Sequence, residues 1–172
     1  MSARSSRSPL VFVLLLLAQV LLSNYFRVSP YLTISLLPVM ILCFPIRVPT
    51  VGTLLAAFAM GLLIDFLTEG VLGLNALALL PVAILQKSIL QLVFGNEIFA
   101  RNEDFSVQRN GWGRLLLALF IVLAVYLAIY VWADSAGTRT FLFNLTRWGV
   151  SLLGSFLFSL PVLNILARDS RS

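Results

Sequence analysis

The sequence predicts an all-α integral membrane protein of six transmembrane helices, and three observations carry that prediction. Of the 172 residues, 60% are hydrophobic and only 11% are charged, with a mean hydropathy of +1.00. An ordinary soluble domain carries about 25% charged residues, so charge is too sparse here for a water-facing shell. The apolar residues also fall in long blocks, and the basic residues lie between those blocks. Lipid is therefore the solvent for most of the chain. These features exclude a soluble enzyme, a disordered tail and a disulfide-stapled secreted domain.

The first span runs over residues 9–25, after a polar start holding Arg4 and Arg7. A basic start before an apolar run also describes a signal peptide. The bulky Leu22-Ser23-Asn24-Tyr25-Phe26 that follows is no cleavage site, so a retained helix is expected. The second block, residues 31–46, is bounded by Pro30 and by Arg47-Val48-Pro49. It is short against the roughly 20 residues of a helical span. Pro38 lies inside it, so a short, kinked or strongly shielded helix is expected. The third and fourth spans cover 50–67 and 74–94, and the fifth 114–132. The last apolar stretch, 141–166, is too long for one upright span, so its first turns, with Asn144 and Arg147, are expected at the interface and the membrane part at 149–166. The whole is a single membrane domain, and its long connection is the polar, mixed-charge segment 95–113.

The basic residues orient these spans. With both termini in the cytoplasm, Arg4, Arg7, Arg47, Lys87, Arg101, Arg109, Arg114, Arg168 and Arg171 share the inner side, against Arg27, Arg139 and Arg147 outside. That is a clear positive-inside bias, and an even number of spans agrees with it. The net charge of +5 is thus an orientation signal and not a nucleic-acid footprint. Tyr25, Tyr31, Trp132 and Trp148 read as an outer aromatic belt, with Trp112 marking the inner one.

The most informative stretch is residues 61–77. Asp65 stands about two residues inside the outer apolar boundary of the third helix, where a carboxylate is costly unless it faces protein or water. Gly61 and Ala57 precede it at four-residue intervals, giving one small-then-acidic stripe that lets another helix approach. Gly70 and Gly73 permit a tight turn. Asn75 follows in the first turn of the fourth helix, placed to cap that helix or to bond Asp65 across the turn. Gly61, Asp65, Gly73 and Asn75 are therefore the candidate residues for helix register or partner binding. Gln86 and Lys87 interrupt the fourth span two turns from its inner end. Lys87 is placed to snorkel to cytoplasmic headgroups, and the pair is a candidate cytoplasmic-side contact.

Catalytic equipment is not evident. The chain has no His, one Cys, no phosphate-cradling loop and no paired carboxylates at catalytic spacing. A protein that is not an enzyme, with no cofactor and no metal, is expected.

At Gly61-Leu62-Leu63-Ile64-Asp65 and Leu72-Gly73-Leu74-Asn75-Ala76 the chain resembles the bacterial rod shape-determining protein MreD. That family shows a Gly-Leu-x-x-Asp element ending one helix and a Leu-Gly-x-x-Ala-like element opening the next. Gly61, Leu62, Asp65, Leu72, Gly73 and Ala76 match, and elsewhere the likeness is a hydropathy outline with a similar Pro30-Tyr31 start to the second span. Family members often carry Arg where Gln86-Lys87 stands here. The resemblance implies a membrane scaffold of the cell-elongation machinery in the bacterial inner membrane. Its partners would be an MreC-like single-span protein, the MreB-like cytoskeleton and wall synthases. It also implies a fold similar to the substrate-binding components of energy-coupling-factor transporters. That second likeness sets the alternative: a vitamin-type substrate-binding membrane component.

Overall fold

A computed structural model describes residues 9–25, 32–46, 48–68, 71–95 and 111–168. Those residues form six helices and no strand: α1 (Pro9–Tyr25), α2 (Leu37–Leu42), α3 (Thr50–Leu67), α4 (Leu74–Phe94), α5 (Trp112–Ser135) and α6 (Phe141–Arg168). Four of them, α3 to α6, contain stretches long and apolar enough to cross a membrane, and α1 is shorter but apolar. The protein is thus an all-α membrane protein.

Sequence punctuation sets the helix ends. Pro38 sits in the first turn of α2, and Pro49 is the N-cap of α3, positions where a missing N–H costs no helical bond. The α3–α4 connection turns on Gly73 at φ +91°, which a side chain would strain. α5 stops where Ala136 and Gly137 turn left-handed.

Two antiparallel pairs, α3–α4 and α5–α6, are joined through the packing of α4 on α5. α5 buries Leu115, Ala118, Leu119, Val122, Leu123, Tyr126 and Leu127, the three-and-four spacing of one helical face. α2 is buried on every side and fills the centre with Val39, Met40, Ile41 and Leu42. Large apolar residues also cover the outside, among them Leu17 and Leu21 of α1, Leu55 and Phe66 of α3, Leu92 of α4 and Leu153 and Leu157 of α6. Lipid, not water, suits such a surface.

The helices differ in detail from the expected spans. The second block holds the short, strongly shielded helix expected of it, but that helix is confined to six residues and is not kinked. Residues 32–36 are non-helical, and only Leu37–Leu42 coil, so Pro38 opens a helix instead of bending one. The last helix is continuous from Phe141, and Asn144 and Arg147 are buried against neighbouring elements. Its neighbour α5 runs two residues earlier and three later than the predicted 114–132. Trp148, expected in the outer belt, is half-buried, and its indole N–H donates to the Ala124 carbonyl of α5 at 3.1 Å. Tyr31, Arg27, Arg47, Gly70 and most of the 95–113 connection lie outside the described residues.

Candidate functional site

The α3–α4 corner gathers the four residues singled out from sequence. Asp65, in the last turn of α3, is 1% exposed. A carboxylate so placed requires donors on both oxygens. They come from the start of α4. Oδ2 accepts the Gly73 amide at 3.0 Å, the Asn75 amide at 3.1 Å and the Ala76 amide at 3.4 Å. Oδ1 accepts the Asn75 amide at 3.1 Å and the Asn75 side-chain Nδ2 at 2.7 Å. The first amides of any helix lack acceptors within it, and their dipoles favour a negative charge. The N-cap residue of α4 is Gly73, with no side chain to serve them. Asp65 therefore caps α4 from the preceding helix.

Close approach makes this possible. A Cβ on Gly61 would lie 2.4 Å from the Ala76 Cα and 2.5 Å from the Ala76 nitrogen, so only glycine fits against the first turn of α4. Asn75 carries the network onward, because its Oδ1 accepts the hydroxyl of the fully buried Tyr126 on α5. Three helices are fixed to one another at one carboxylate.

Gln86 and Lys87 lie about 16 Å further along α4. Gln86 is buried and turned onto the end of α2. Its Nε2 faces the carbonyls of Ile41 at 2.8 Å, Phe44 at 3.1 Å and Leu42 at 3.4 Å. It thereby satisfies the last carbonyls of a helix too short to be held by its own bonds. Lys87 is half-buried.

A second polar assembly surrounds residues 32–36, whose backbone, apart from the Leu36 carbonyl that accepts the Met40 amide, lies among helices without helical bonds. Such backbone is tolerated at membrane depth only where protein groups satisfy it. On one edge, Gln19 of α1 accepts the Leu36 amide with Oε1 at 2.7 Å and donates from Nε2 to the Ile34 carbonyl at 3.4 Å. Its carboxamide stands in for one peptide unit of an absent neighbouring strand. On the other edge, Ser151 Oγ accepts the Thr33 amide at 2.9 Å, and Ser155 Oγ accepts the Ser35 amide at 3.1 Å while donating to the Thr33 carbonyl at 3.3 Å. Nearby, Arg147 pairs with Asp134 and donates to Thr33 Oγ1 at 3.2 Å, while Asn144 donates to Ser135 Oγ at 2.8 Å. These bonds close the α5–α6 turn onto the extended segment.

Sequence reading missed Gln19, Ser151, Ser155 and Tyr126. A signal existed for three of them. Gln19 interrupts the middle of the first apolar block, and Ser151, Ser155 and Ser159 recur every four residues along one face of α6. Chemically, both assemblies are networks of donors and acceptors that hold elements in register, and in the second the buried Ser35 Oγ, Asn144 Oδ1 and Arg147 Nε are left without a hydrogen-bond partner. Among the described residues no group of three or more His, Cys, Asp or Glu is placed to hold a metal ion. No family model, curated protein or solved structure matches the chain.

Proposed function

We propose that the chain is a non-catalytic membrane scaffold of the bacterial cell-elongation complex, acting beside an MreC-like single-span protein to maintain rod shape and lateral peptidoglycan synthesis. The observation that carries this reading is the α3–α4 corner. The residues that resemble the MreD pattern at Gly61, Asp65, Gly73 and Ala76 are the ones that meet there through a buried carboxylate and a glycine contact. A motif whose members build one rigid corner is what a scaffold needs to present fixed helix faces to a partner. In this reading the protein lies in the inner membrane with both termini in the cytoplasm, and the 95–113 connection meets cytoplasmic partners such as an MreB-like cytoskeleton and wall synthases.

The test is co-purification in detergent with a co-expressed, tagged MreC-like protein. The wild-type chain is expected to be retained, and Asp65→Leu to be retained less while inserting normally. Retention of Asp65→Leu at wild-type yield would remove the corner from the argument, and failure of the folded wild-type chain to bind would overturn the scaffold. Nanomolar binding of a vitamin by the purified protein would favour the transporter-component alternative.

A further inference from the structure

The serine row on α6 has one more rung than the extended segment uses. Ser151, Ser155 and Ser159 are all fully buried, yet the Ser159 hydroxyl has no hydrogen-bond partner. The two outer rungs engage Thr33 and Ser35 in parallel register. Residues four apart on a helix rise about 6 Å, and two residues of extended chain rise about 6.6 Å. The third rung therefore matches Leu37.

Leu37 is the first residue of α2. Its amide occupies the position at which a helix offers no acceptor. It also precedes Pro38, and the residue before a proline is biased away from the helical region toward extended backbone. Local preference and the idle hydroxyl thus point the same way.

We propose that residues 36–37 form a two-register element, with helical dihedrals in the state described, where Leu36 is the N-cap of α2 at φ −96° and ψ −8°, and extended in a second state in which Ser159 takes the third rung. By the pattern of Ser155, Ser159 then accepts the Leu37 amide and donates to the Ser35 carbonyl. The transition breaks the bond from the Met40 amide to the Leu36 carbonyl, 3.3 Å long here, and the next helical bond, from Ile41 to Leu37. Two bonds are lost and two are formed, the near balance that a bistable element requires. Two residues passing from a helical to an extended rise lengthen the segment by about 3.6 Å. The far end stays clamped by Gln86, so the displacement is taken up in the remainder of α2. This inference does not rest on the scaffold reading.

Met40 is the probe. It is buried in α2, and the chain has only three methionines, with Met60 on α3 serving as an internal control. Full-length protein carrying 13C-methyl methionine in lipid nanodiscs is expected to show a second Met40 signal, or exchange broadening on the microsecond-to-millisecond scale, with Met60 single and sharp. Ser159→Ala is expected to abolish the second state. Pro38→Ala is expected to do the same by restoring the helical preference of Leu37, and it decides the matter if Ser159→Ala does not fold. A single, exchange-free Met40 signal in the wild-type protein overturns the proposal, as does exchange that persists unchanged in either variant.

Discussion

Gly61 and Asp65 have little room for substitution, for different reasons. At Gly61 the obstacle is backbone: an added methyl meets the Cα and nitrogen of Ala76, which cannot rotate away as a side chain can. Gly61→Ala is expected to push α3 from α4 and cost about 1–3 kcal/mol, the usual range for overpacking. At Asp65 the issue is acceptor capacity. Asp65→Asn keeps the shape but turns one oxygen into a donor that faces amide donors, costing about 2–3 kcal/mol. Both losses are measurable as a lowered unfolding midpoint in mixed micelles, and an unchanged midpoint for either would refute the corner's role in stability. The Arg147–Asp134 pair makes an asymmetric prediction, since the Arg147 side chain is 9% exposed and Asp134 28%. Asp134→Leu strands a buried guanidinium, for which about 3–5 kcal/mol is typical. Arg147→Met leaves a carboxylate that can turn to water. The first variant should be the less stable, and the double variant should recover part of the loss. Equal losses from both single variants would show that the pair is not buried asymmetrically.

The elements differ in how far the sequence disclosed them. The α3–α4 corner was legible because its parts are local. The bonds from Asp65 reach only 8 to 11 residues along the chain, within one helix–turn–helix whose glycines are visible in the sequence. The segment before α2 was not legible, because its bonds to Ser151 and Ser155 span 118 and 120 residues. Hydropathy alone does not separate an extended apolar run from a helical one. The resulting prediction concerns Gln19. Gln19→Leu keeps the bulk of the side chain but leaves the Leu36 amide and Ile34 carbonyl bare in an apolar interior, at about 1–3 kcal/mol for each group. Hydrogen exchange of the Leu36 amide should quicken sharply in that variant, while amides in the middle of α5 keep their protection. Unchanged exchange at Leu36 would mean that Gln19 does not hold the segment.

At the scale of the molecule, the extended segment explains how a block too short for a helical span can carry the chain across. Eleven helical residues advance about 16 Å. Four extended residues followed by seven at the helical rise advance about 24 Å, most of a hydrocarbon core of about 30 Å. The direction is fixed at both ends. Thr33 and Ser35 follow the N-to-C course of α6 along Ser151 and Ser155, and the end of α2 reaches Gln86, well along α4 from the Asp65 corner. The second segment therefore runs from the level of the α5–α6 turn toward the opposite ends of the bundle, as the positive-inside reading requires of a crossing that delivers Arg47 to the inner side. Single cysteines test this in intact cells, in a Cys43→Ala background because Cys43 is the chain's one cysteine and is buried. Tyr25→Cys, at the exposed end of α1 just before the second segment, should react with a membrane-impermeant maleimide. Val48→Cys, just before α3, should react only after the cells are opened. Labelling of both from outside would make the second segment re-entrant and the number of crossings odd. Labelling of Val48→Cys alone would invert the whole orientation.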